Sequence, residues 1–107
     1  MRKVINISGK EVPLGTNGLV PLLYKKEFGS DFFGDIQKMS EKDIEVEILY
    51  NFLWVFARVE DKEIPPLWEW LESFETVPIS DIAADIVKLA TACITTKKVN
   101  ASKKKIT

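Results

Sequence analysis

Ile44-Glu45-Val46-Glu47-Ile48-Leu49-Tyr50-Asn51-Phe52-Leu53-Trp54-Val55-Phe56-Ala57-Arg58-Val59 is the stretch that decides the fold. Ser40 with Asp43 three residues on approximates a capping box, so a long helix is expected to open at Ser40. Glu41, Asp43, Glu45 and Glu47 crowd its first turns, where a helix N-terminus favours negative charge. From Ile48 onward the apolar residues occupy every side. Ile48, Phe52, Val55 and Val59 form one row, Leu49, Leu53 and Phe56 lie beside it, and Tyr50, Trp54 and Ala57 fill the remainder. A helix apolar all round is either the central element of a core or is partly covered by a partner. The central position is the preferred reading.

Towards the C-terminus, Pro65-Pro66 enforces a break, because each proline removes a donor and restricts its neighbour. Pro66 at the first helical position is expected to start a helix through Leu67-Trp68-Glu69-Trp70-Leu71-Glu72-Ser73-Phe74. Leu67, Trp70, Leu71 and Phe74 share one face of it, and Trp68 lies away from them. Val77-Pro78-Ile79-Ser80-Asp81 then begins a last helix whose stripe of Ile82, Ile86, Leu89, Ala90 and Cys93 follows the helical period. Beyond Val99, the polar, lysine-rich residues 99–107 are expected to be a disordered basic tail, so the domain itself is placed at residues 1–98.

Towards the N-terminus, Gly29 reads as the stop of one helix and Ser30-Asp31 as the cap of the next. The first spans about Leu19 to Phe28, with Asn17 or Thr16 as its cap and Leu19, Leu22, Leu23 and Lys26 along one side. The second spans Phe32 to Met39, weakened at Gly34 by about 1 kcal/mol relative to alanine. Arg2 to Leu14 alternates as a hairpin around Ser8-Gly9-Lys10, with Pro13 confining the second strand to a sheet edge or to a short length. The expected fold is therefore mainly α, with four to five helices and a small N-terminal β-hairpin.

The chain of 107 residues fits one domain with one real core. A single cysteine rules out an internal disulfide. The N-terminal residues lack the apolar run of a signal peptide, and no stretch approaches a membrane span, so a soluble cytoplasmic protein is expected. The net charge of −1 conceals an asymmetry. Residues 97–107 hold five lysines and no acid, which leaves ten basic and sixteen acidic groups, or −6, on residues 1–96. A basic tail of this kind is either a solvated terminus or a contact for an acidic partner. Without arginine or aromatics it is a weak nucleic-acid signature, and nucleic acid is not expected as a partner.

No chemistry is signalled. The chain has no histidine, the commonest metal ligand and general base near neutral pH. Cys93 falls on an apolar stripe and reads as a small buried hydrophobe. The pairs Glu45/Glu47 and Glu69/Glu72 sit on solvated helix faces, and Gly15-x-x-Gly18 lacks the lysine of a phosphate loop. No catalytic residue, metal or cofactor is assigned. The aromatics carry the functional signal instead. Phe32-Phe33, Trp54, Trp68 and Trp70 cannot all face inwards, since adjacent helical residues point about 100° apart. The extra rings either cover the flanks of a small core or form a contact patch for another protein. Phe33, Trp54, Trp68 and Trp70 are the protein-binding candidates, with Phe33 and Trp68 preferred as exposed.

In this order of elements, Ile7-Ser8-Gly9-Lys10-Glu11-Val12-Pro13-Leu14, Tyr24-Lys25-Lys26-Glu27-Phe28-Gly29-Ser30-Asp31 and Leu49 to Arg58 resemble the tail assembly chaperones of long-tailed phages and prophages. Glu69-Trp70-Leu71 and Ile86 to Ala92 extend the resemblance, which covers roughly residues 5 to 98. It rests on packing residues and no signature motif. The resemblance implies a protein that binds the tape measure protein, keeps that long helical client soluble and brings tail tube subunits to it. It also implies presence in the host cytoplasm, absence from the finished virion, and a longer form made by ribosomal frameshifting, for which Lys103-Lys104-Lys105 is the expected site. Self-association is expected through the strand around Val12 or the all-round apolar helix. The competing readings are a small structural head–tail joining protein and a regulator that binds nucleic acid through its lysines.

Overall fold

In the computed structural model, residues 1–39 and 45–94 are described. Strand β1 (Arg2–Ile7) turns into β2 (Lys10–Gly15), and five helices follow among the described residues. These are α1 (Val20–Phe28), α2 (Phe32–Met39), α3 (Val46–Glu60), α4 (Leu67–Glu72) and α5 (Ile79–Ile94). The mainly α fold with an N-terminal hairpin is the one the sequence implies. The Ser40/Asp43 capping box and the basic segment at 99–107 lie outside the described residues.

The hairpin is antiparallel, with Ile5 opposite Val12 and Val4 opposite Pro13. Ser8 and Gly9, the two central residues of its turn, have φ of 53° and 83°. A two-residue turn with both φ positive twists the way the strands do. Thr16 N–H donates to the Met1 carbonyl at 3.0 Å. Counted by twos from that pair, Pro13 falls at a position whose backbone points away from β1, so its missing N–H costs no ladder bond. Ile5, Ile7, Val12 and Leu14 share the buried face. Gly15 admits the Glu60 carboxylate so closely that a Cβ would collide with it. That carboxylate pairs with Arg2 at 2.7 Å and ties the hairpin to the end of α3. Ser8 and Thr76 clip the turn to the segment before α5, where the Thr76 N–H donates to Ser8 Oγ at 3.0 Å.

Helix α3 is the central element. Ile48, Leu49 and every residue from Asn51 to Ala57 are buried, and β2, α1, α4 and α5 all pack against it. Its apolar sides are thus largely satisfied within the chain, as burial of so much surface requires. Within the described residues it starts at Val46, with Glu45 in extended backbone as its cap, later than the expected opening at Ser40.

Two local readings are corrected. Helix α1 starts at Val20, with Leu19 as its cap residue; Asn17 acts just before it, accepting the Leu19 N–H at 2.9 Å. Its buried side is Val20 and Tyr24, whereas Leu19 and Leu22 are exposed. Tyr24 wins the inner face because its ring meets Phe28, Phe32 and Phe52 at centroid distances of 5.1, 5.4 and 5.2 Å. An aromatic able to join such a cluster outweighs a leucine row on the far side. Helix α4 starts at Leu67 with Pro66 as its cap residue, one position later than expected. The stops at Gly29 and Pro65-Pro66 stand; Gly29 has φ 70° and its N–H returns to the Lys25 carbonyl at 2.8 Å.

Candidate functional site

The end of α1, the first half of α3 and the outer side of α4 leave a groove of about 720 Å³ between them. Phe28, Tyr50, Leu67 and Leu71 give it apolar walls, Val46, Pro66 and Trp68 extend them, and Glu27, Glu47 and Asn51 add the polar groups. Val46, Glu47, Tyr50 and Asn51 form one face of α3 by their spacing of one, three and one residues. Val46 and Glu47 on this face are exposed, Tyr50 is half-buried and Asn51 is buried.

The groove is held open by side chains behind it. Trp54 Nε1–H donates to the Pro65 carbonyl at 2.8 Å, fixing the entry into α4. Phe28 stacks edge-on against Trp54 with centroids 5.6 Å apart. Tyr24 donates its hydroxyl to Asp35 Oδ2 at 2.7 Å, and Ser30 donates to the same oxygen at 2.9 Å. Burial first, and the bond to Asp35 second, push the Tyr24 phenol far above its ordinary value. It therefore remains a hydrogen-bond donor throughout the physiological range. This network joins α1, α2 and the turn between them.

The four sequence candidates separate. Trp68 is 82 % exposed and stands on the groove rim. Trp70 lies two positions on, about 200° around the helix, and is buried with its ring 5.2 Å from Phe74. Trp54 is buried as well, at 4 % exposure. Neither Trp54 nor Trp70 offers a surface to a partner; one braces the groove and the other fills the core behind α4. Phe33 is exposed at 46 %, with its ring centroid 5.6 Å from that of Phe32. It does not line the groove, so Phe33 and Trp68 are not one patch. Val46 and Tyr50 are not distinguished as groove residues by sequence, because Val46 lies among the acids of the first turn and Tyr50 within a stretch apolar on every side.

Val12, one of the expected self-association points, is buried, and its backbone is turned to β1. Pro13 beside it removes a donor from the open edge of β2, a common way to blunt a sheet edge. Cys93 is half-buried and not fully enclosed, and burial pushes its thiol up to about 11. Among the described residues no three of His, Cys, Asp and Glu gather closely enough to hold a metal ion. No helix among them is long and apolar enough to cross a membrane. No protein-family model, curated protein or solved structure matches this chain.

Proposed function

We propose that this protein is a tail assembly chaperone of a long-tailed phage or prophage. It acts without catalysis, holding an apolar helical stretch of the tape measure protein and helping to recruit tail tube subunits during tail assembly. It works in the cytoplasm of the host cell and is left behind when the virion is complete.

The observation that carries this reading is Trp68, a large ring left almost fully in water at the rim of an apolar groove. A monomeric domain of this size gains nothing in stability from such a ring, whereas tryptophan is the most effective single anchor for another protein. The groove is moderate in size, so the chain can hold client surface without aggregating by itself.

Co-expression tests the proposal. A tape measure protein that is insoluble alone is expected to become soluble with this chain and to co-purify with it. Mass spectrometry of finished particles is expected to find the chain absent. A tape measure protein that stays insoluble, or a stoichiometric amount of the chain in particles, contradicts the proposal, and the latter favours a structural virion protein.

A further inference from the structure

The groove has a chemical preference beyond being apolar. Its charged lining consists of Glu27, from α1, and Glu47, from α3; neither lysine nor arginine lines it among the described residues. The walls are helices, whose backbone groups are bonded within themselves. An extended peptide laid there would leave its own N–H and C=O groups against side chains, away from partners and from water. A helix brings its backbone bonds with it, and presents an apolar row at i, i+3, i+4 and i+7.

We propose that the groove selects a cationic amphipathic helix, with apolar anchors seated against Phe28, Tyr50, Leu67, Leu71 and Trp68 and with lysine or arginine flanking them to meet Glu27 and Glu47. This deepens the reading above and rests on it, because it names the class of client segment that the same groove takes. Residues 1–96 carry an excess of six negative charges and the five lysines at 97–107 bring the whole chain to −1, so attraction of a cationic segment to the acidic groups acts at short range. The chain's own lysines at 97–107 are a poorer occupant. That stretch offers only Val99, Ala101 and Ile106 as apolar anchors.

Two designed helical peptides with the same leucine face, one flanked by lysine and one by glutamate, test the proposal by fluorescence anisotropy against the full chain. The lysine peptide is expected to bind at least tenfold more tightly in low salt, with the gap narrowing as salt is raised. Glu27→Gln with Glu47→Gln is expected to weaken the lysine peptide roughly two- to tenfold and remove most of the preference. Trp68→Ala is expected to weaken both peptides. Equal binding of both, still dependent on Trp68, would overturn the charge preference and leave the groove as a docking site. Binding of neither would remove the docking site itself. A preference that survives the double glutamine variant would overturn the role of these two glutamates. Replacing the five lysines of 97–107 with glutamine takes the net charge from −1 to −6 and is expected to tighten the lysine peptide while leaving the glutamate peptide no tighter; a tenfold gain for both peptides would make that segment the occupant and overturn the proposal.

Discussion

The indole N–H of Trp54 and the carbonyl oxygen of Pro65 meet at 2.8 Å, joining the middle of α3 to the proline pair that starts α4. Through this bond a buried tryptophan sets the position of an exposed one, Trp68, three residues beyond Pro65. Trp54→Phe keeps most of the packing and leaves the Pro65 carbonyl without its donor. The expected loss is about 0.5–1.5 kcal/mol of stability, the usual net worth of a hydrogen bond, because the bond is only part-buried and water can reach the carbonyl. Urea denaturation measures it, and affinity for a client helix is expected to fall in parallel as α4 loosens.

Tyr24→Phe is expected to destabilise the fold by about 1–3 kcal/mol. Asp35, only 5 % exposed, would keep Ser30 at 2.9 Å and the more distant Lys38 amine at 3.8 Å but lose its shortest bond. Combining Tyr24→Phe with Asp35→Asn in a double-mutant cycle is expected to give non-additive losses, as groups in one network do. Strict additivity would show that the pair does not act as a unit.

Cys93 gives a prediction in pH. Burial raises its thiol from an ordinary 9.0 to about 11, so the folded chain holds the proton more tightly than the unfolded chain does. Alkylation by iodoacetamide at pH 8 is expected to be slow against the urea-unfolded protein, because the thiolate is the reacting form. The contribution to stability is fully present below pH 9 and is lost as pH rises towards 11. Equal alkylation rates in the folded and unfolded chains at pH 8 would contradict the burial assigned here.

Phe33→Ala separates the two exposed aromatics. The ring stands half out of α2 and touches Phe32, a contact of about 0.5–1.5 kcal/mol at most. Helical content by circular dichroism is expected to hold, and binding of a helix in the Trp68 groove is expected to be unchanged. A marked loss of binding would place a second contact surface on α2.

Much of this fold is legible in the residues that interrupt it. Ser8-Gly9, Gly29 and Pro65-Pro66 punctuate the chain by backbone geometry alone, and such signals survive any tertiary setting. The face of α1 was not legible, because Tyr24 turns inward only when Phe28, Phe32 and Phe52 surround it. The start of α3 is not legible, since acids that suit a helix N-terminus also suit the residues before one, and Glu45 is still extended. Of the candidate site, Trp68 could be read from its angle to Trp70. The groove itself could not, as its walls come from residues 27–28, 46–51 and 66–71, which only the packed helices bring together.

The central claim is that Trp68 and the groove beside it hold a helical client. Trp68→Ala removes a side chain that is 82 % exposed, so its thermal stability is expected to match that of the unaltered chain within about 0.5 kcal/mol. The decisive measurement is the soluble fraction of a co-expressed tape measure protein with each form of the chain. Most of the solubilisation is expected to disappear with Trp68→Ala while the fold stays intact. Undiminished solubilisation by the Trp68→Ala chain would contradict it.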